Sequence, residues 1–338
     1  MLQLHHLPCA ALGAPPPAGE WLGAACFGAA GMPGALPADL PFARVQVQPL
    51  APSPTPLQAP CEAWAVAGPV RAGRHGALQW RCNDAWWFGT LQLDEAAAPD
   101  GITALQQAAQ RAYALLFESL DAQGFEHLVR VWNHVADITA ERDGLERYRQ
   151  FNIGRQDAFV AHGRSVAGAS VPAASALGAR PGAPLLLYAL AARRPPRALE
   201  NPRQVSAYHY PSDYGPRSPT FSRAAVARTD TQPVLFISGT ASVVGHRSLH
   251  EGDAVAQTQE TLRNLQAVLD QAGQREATRW ELPQLHYKVY VRHAADWPQI
   301  HAELRRAVGE RAPVLALQAD VCRSDLLVEI EAAGAAAA

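Results

Sequence analysis

The chain is poor in lysine: of its 29 basic residues only Lys288 is a lysine and the rest are arginines. A genome rich in G and C explains the bias, and it leaves many planar, permanently charged forks that suit carboxylates. Cysteine is sparse as well. Cys9, Cys26, Cys61, Cys82 and Cys322 form an odd set with no CxxC pair and no metal-type spacing to histidine, which argues against a disulfide framework and against a zinc site. An excess of either charge is missing. With 29 basic and 31 acidic residues the formal net charge is -2, so nothing in the balance points to a nucleic-acid partner. No apolar run approaches the length of a membrane span, and the start MLQLHHLPCAALGA lacks the basic region and long apolar run of a secretion signal; the expected location is the cytoplasm. No motif for a nucleotide, a redox cofactor or a metal is present, and none is expected to take part.

What is there fits two folded units. A length of 338 residues is long for one core and comfortable for two of roughly 150 residues. Two stretches repeat one order of elements. In the first, a strand at 85–93 precedes a helix at about 102–123 whose stripe reads Leu105, Ala109, Ala112, Leu116 and Leu120, with Gly124 placed to stop it and a strand over 127–138. In the second, a strand at 234–238 precedes a helix from about Ala254 carrying Leu262, Leu265, Leu269 and Ala272, stopped by Gly273. A strand at 285–292, a helix at about 298–308 and strands near 314–318 and 326–331 complete it. The repeat predicts an α+β chain of two similar units, each a β layer with helices on one face. Between them, 163–203 is rich in Pro, Gly and Ala, interrupted by an apolar strand at 184–190. The proline-rich first sixty residues predict short strands and turns, and the alanine-rich end a disordered tail.

Four clusters carry polar chemistry. His5 and His6 suit packing or exposure better than a metal. Arg149 and Arg155 flank Asn152 and Gly154 in YRQFNIGRQD, a setting for a carboxylate or else a helix end capped by Gly154. The segment 208–223, YHYPSDYGPRSPTFSR, is too polar for a core strand and too rich in proline for a plain linker; it reads as an ordered binding loop bearing Tyr214, Arg217 and Arg223. In the last strand Val328 and Ile330 alternate with Glu329 and Glu331. If that strand is central, at least one carboxylate looks into a pocket, where desolvation raises its pKa and lets it carry a proton near neutral pH.

The second unit resembles the reactive-intermediate deaminase (Rid, or YjgF) superfamily through FISGTAS at 236–242, Gly252-Asp, Gln257, Thr261, Asn264-Leu, VYVR at 289–292, Arg323 and VEIE at 328–331. The longer combination of YRQFNIGRQDAF, SDYGPRSPTFSRA, ISGTASVVGH and CRSDLLVEIE resembles the chorismatases across nearly two thirds of the chain. That resemblance implies two Rid/YjgF-like (chorismate-mutase-like) units in one monomer, each a mixed sheet with helices on one face. The implied division is 1–160 for the first unit, 161–232 for a connecting and substrate-binding region, 233–332 for the catalytic unit and 333–338 for the tail. It implies chorismate as the small-molecule partner, with no cofactor, metal, nucleic acid or membrane.

The same resemblance implies roles. Glu329 would protonate the enolpyruvyl ether, and Arg155, Arg217, Arg223 and Arg323 would hold the two carboxylates, with Tyr214 donating a further hydrogen bond. Cys322, seven residues before Glu329, matches the branch that aromatises the ring to 3-hydroxybenzoate, with Gly239 and Ala241 as further ring neighbours. Hydrolysis to a cyclohexadiene diol acid and mixed 3- and 4-hydroxybenzoate formation are the neighbouring outcomes. A Rid-type imine or enamine deaminase, which would leave the tyrosine and arginine loop unused, and a non-catalytic small-acid sensor are the readings from other classes.

Overall fold

A computed structural model of the protein describes residues 2–28, 36–50, 59–229 and 231–336. The proline-rich opening forms short strands, as predicted: β1 (Leu2–Pro8), β2 (Glu20–Phe27), β3 (Phe42–Val45), β4 (Gln48–Pro49) and β5 (Pro60–Val66). Next come β6 (Arg71–His75), β7 (Leu78–Cys82), β8 (Trp86–Leu93), α1 (Ala104–Gln123) and β9 (His127–Ala136). A small hairpin, β10 (Glu141–Arg142) and β11 (Leu145–Glu146), leads into α2 (Arg147–Ala161). Then follow β12 (Ala173–Ala179), β13 (Leu185–Ala192), β14 (Arg197–Leu199), β15 (Ala224–Arg228) and β16 (Pro233–Ala241). After the hairpin β17 (Val243–Val244) and β18 (Arg247–Ser248) the chain ends with α3 (Ala254–Glu276), β19 (His286–Val291), α4 (Trp297–Val308), β20 (Val314–Gln318) and β21 (Val328–Ala335).

These strands build a six-stranded sheet in the order β12-β9-β13-β8-β7-β6 and a seven-stranded sheet in the order β14-β15-β16-β21-β19-β20-β4. Both are mixed, with β12 parallel to β9 and β19 parallel to β20. A third sheet, β1-β5-β2-β3, packs beside them. Strand alternation separates two kinds of core. On β13, Leu185, Leu187 and Ala189 pack with the helices α1 and α2, whereas Leu186, Tyr188 and Leu190 face the second sheet. On β21, Val328, Ile330 and Ala332 pack with α3 and α4. Glu329 and Glu331 therefore point inward between the sheets, and both are buried. This alternation creates the site.

Both long helices begin on a side-chain cap: Thr103 Oγ1 accepts from Gln106 N for α1, and the Asp253 carboxylate accepts from Ala256 N for α3. Gly124 closes α1 in the left-handed conformation, φ 69°, as its position predicts. Gly273 does not close α3. The buried stripe through Ala272 carries the helix on to Glu276, and Ala277 takes the left-handed turn at φ 50°. Gly154 is not a helix end either. It lies inside α2, where a β-carbon would fall 2.0 Å from the carbonyl oxygen of Gln106, so the glycine lets α1 and α2 approach closely.

Three further expectations change. The stretch 161–232 is shared out between the sheets, because its apolar runs supply β12 and β13 to the first and β14 and β15 to the second. The alanine-rich end is strand through Ala335, paired with β16 from Ala332 to Ala335, so a tail from residue 333 is replaced by sheet; residues 337–338 lie outside the described residues. Cys9 and Cys26 form a disulfide with Cα atoms 6.3 Å apart, a pairing that the absence of a spacing motif had argued against. Among the described residues no helix is long and apolar enough to cross a membrane.

Candidate active site

A cavity of about 540 Å³ opens where the two large sheets meet, and both units line it. The first unit contributes Tyr148, Arg149 and Arg155 from α2 and Ser175 from β12. The second contributes Gly239 and Ala241 from β16, Cys322 and Arg323 from the segment before β21, and Glu329 from β21. Tyr210, Tyr214, Phe221 and Arg223 come from the ordered loop between β14 and β15. Of the residues singled out in the sequence, Glu329, Cys322, Arg155, Tyr214, Arg223, Arg323, Gly239 and Ala241 all border this space. Arg217 does not. Its side chain is half-exposed and lies 4.0 Å from Asp157 of α2.

Glu329 sits at the centre of the second sheet, opposite Ala241 on one side and Tyr290 on the other. The register of β16 against β21 shifts between Ile237 and Thr240, and this irregularity presents Gly239 to the Glu329 carboxyl. Desolvation pushes that carboxyl up to about 8, reinforced by the negative charge of Glu331; Arg130 and Arg223 oppose the shift without cancelling it. The Cys322 thiol is pushed up to about 12 by burial and by Glu329, so it is a neutral neighbour at ordinary pH.

The arginines are held by neighbours that leave their cationic faces to the cavity. Arg155 donates from Nη2 to Asn152 Oδ1 at 2.7 Å and lies over the Phe151 ring. Arg223 donates to the Val205 carbonyl at 2.8 Å and to the Tyr210 hydroxyl at 2.7 Å. Arg323 donates to the His246 carbonyl at 2.9 Å and stacks 4.4 Å from the Tyr214 ring centroid. The Tyr214 hydroxyl also donates to the His246 carbonyl, at 2.7 Å, so in this state it braces Arg323 and the β17–β18 hairpin. At the mouth Arg149 pairs with Glu146 at 3.1 Å.

Reading the sequence missed Tyr210, Ser175 and Arg130. Tyr210 stands inside the quoted loop, two residues after Tyr208, with nothing to distinguish it from its neighbours. Ser175 sits in the bland run AASALGA, which carries no signal. Arg130, a lone charge in the otherwise apolar strand HLVRVWNHVA, was the available clue.

The arrangement is a cation-lined pocket, with one carboxyl able to hold a proton near neutral pH. Similarity points the same way. The family described as chorismatase FkbO/Hyg5-like, N-terminal, matches residues 62–191, and the family described as endoribonuclease L-PSP matches residues 217–336. A chorismatase of Streptomyces rapamycinicus is 37% identical over 80% of this chain and 80% of its own length. A 3-hydroxybenzoate synthase of Streptomyces hygroscopicus is 35% identical over 87% of this chain and 86% of its own. A chorismatase crystal structure at 1.08 Å superposes with a TM-score of 0.86 and 30% identity, covering 99% of this chain and 98% of that one.

Proposed function

This chain belongs to the chorismatase family, and on that footing we propose that it cleaves the enolpyruvyl ether of chorismate to pyruvate and 3-hydroxybenzoate, with Glu329 as the proton donor. The observation that carries the reading is the inward, desolvated carboxyl of Glu329 in a cavity otherwise rich in arginine. An enol ether breaks when its terminal methylene carbon is protonated, and a carboxylic acid with a pKa near 8 is present as the acid at neutral pH. The conjugate base left behind is negative, which stabilises the oxocarbenium ion just formed.

Arg155, Arg223 and Arg323 would bind the two carboxylates of the substrate by charge-assisted hydrogen bonds. Cys322 supports the aromatising outcome. A neutral, weakly polar thiol beside the ring gives a water molecule little to hold it in line, so the ring hydroxyl next to the ether is the nucleophile at hand. That hydroxyl attacks the ring carbon bearing the ether, and its O–H proton leaves as the carbon–oxygen bond to pyruvate breaks, which balances the one delivered to the methylene. The ring oxide then opens, losing a ring C–H proton while its oxygen takes one up as the phenol. No water is consumed. We read the protein as a cytoplasmic monomer that works without a cofactor.

A Rid-type deaminase activity would use the second unit alone, whereas Tyr148, Arg149, Arg155 and Ser175 of the first unit also line this cavity. The test is direct. Purified protein and chorismate should give pyruvate and 3-hydroxybenzoate in equal amounts, read by a coupled dehydrogenase and by chromatography. Pyruvate with mainly the diol acid would reassign the product, and no pyruvate at all would overturn the reaction.

A further inference from the structure

Behind the cavity lies a second set of charges that the cleavage reaction does not touch. Glu331 faces the same way as Glu329, two residues along β21, but it does not border the cavity. It closes a small space on the other side, with Glu62, Arg130 and Lys288 among its walls. Its carboxylate is saturated with donors: Lys288 Nζ at 2.6 Å, Trp132 Nε1 at 2.9 Å, Ser175 Oγ at 2.6 Å, and Arg130 through Nη2. Lys288, the one lysine in the chain, is buried, bridges on to Glu62 of the third sheet at 2.7 Å and donates to the Tyr188 hydroxyl of the first at 3.4 Å. Ser175 faces both ways. Its hydroxyl donates to Glu331 and accepts from Gly239 N at 3.0 Å, the main-chain position against which the Glu329 carboxyl rests.

We propose that Glu331 is a positioning residue for the reaction: a fixed negative charge that holds Glu329 in its acid form and, through Ser175, fixes the main chain at Gly239. The inference rests on the reading of Glu329 as proton donor. Two neighbouring carboxylates in one desolvated space do not both ionise readily, and the one with more donors takes the charge. Here the donors all go to Glu331. Burial alone would raise it, yet Lys288 and Arg130 hold it down at about 2. Among the described residues Glu329 has no comparable donors, and it is raised.

The other groups around the pair set the size of the effect. Glu329 faces Arg130 from β9, Arg223 from the segment before β15, Tyr148 from α2 and the Cys322 thiol. Glu331 faces Lys288 and Tyr290 from β19, Arg130 and His134 from β9, Tyr188 from β13 and Glu62 from β5. His6 from β1 also faces Glu331, and burial keeps both histidines neutral. Among the described residues Glu331 is thus the anion held ionised beside Glu329.

The experiment follows Glu329 itself. Protein labelled with 13C at the glutamate δ-carbon is titrated by NMR, with the Glu329 signal assigned by its loss in Glu329→Gln. In Glu331→Gln the Glu329 midpoint should fall by about one pH unit or more, and the alkaline limb of kcat/KM should move down with it. Glu331→Asp, which keeps the charge, should hold both close to wild type. Because Glu331→Gln leaves Lys288 and Arg130 facing an amide, the pair Glu331→Gln with Lys288→Met removes one charge of each sign and leaves Arg130 and Glu62; with folding checked by melting curve, it should show the same fall. An unmoved Glu329 titration in the folded variants overturns the proposal. If the wild type makes no pyruvate from chorismate, the reaction assignment falls and the NMR titration still decides the coupling.

Discussion

Gly239 and Glu329 share a space that admits no side chain between them: a β-carbon at 239 would fall 1.8 Å from Glu329 Oε1 and 3.0 Å from Ser175 Oγ. The carboxyl is the movable partner. Gly239→Ala should therefore fold, displace the carboxyl from its working position and lower kcat by about a hundredfold, the scale of a 1 Å misplacement. Steady-state kinetics beside a melting curve check this, and an active, normally folded variant would contradict it.

Glu329→Gln should lose about a hundred- to ten-thousandfold in turnover while still binding a chorismate-like dicarboxylate, since the amide keeps the shape and cannot give the proton. Calorimetric titration with a non-reactive analogue separates the two effects. Turnover close to wild type would move the chemistry to another group.

The raised acid also leaves a mark on stability. Glu329 is about 8 in the folded chain against an ordinary value near 4.5, so its contribution is fully present below the ordinary value and is lost as pH rises through about 8. Glu329→Gln stays neutral and escapes that loss. Urea midpoints at pH 5 and pH 8.5 should show the variant gaining on wild type at the higher pH, and an equal difference at both would count against the shift.

Two arginines of one loop should part company. Arg223 borders the cavity, and Arg223→Ala should raise KM about ten- to a hundredfold through loss of a charge-assisted pair. Arg217 is half-exposed beside Asp157 and does not line the cavity, and Arg217→Ala should leave KM within about twofold, the small worth of a surface ion pair. Equal effects from both would show that the loop rearranges when substrate binds.

Cys322→Ala should lower the share of 3-hydroxybenzoate and raise that of the diol acid, because removing the thiol beside the ring makes room for water next to the cation. Product ratios by chromatography decide it. An unchanged ratio would remove Cys322 from the choice of product.

What the sequence determined by itself was periodic or contiguous. The stripe Leu105, Ala109, Ala112, Leu116 and Leu120 and the stop at Gly124 specified α1, and the alternation of Val328 and Ile330 with Glu329 and Glu331 put both carboxylates on one face. The motifs around Arg155, Arg223 and Cys322 carried the family resemblance and most of the pocket. What only the tertiary structure decided was which contacts those faces meet. Ser175 and Arg130 lie 156 and 201 residues before Glu331, the carboxylate to which both donate. No local pattern announces such partners, since packing the two sheets face to face is what brings them within a hydrogen bond. The same packing split the glutamates. Arg130 and Lys288 donate hydrogen bonds to Glu331 and none to Glu329, so two carboxyls alike in sequence become one anion and one acid.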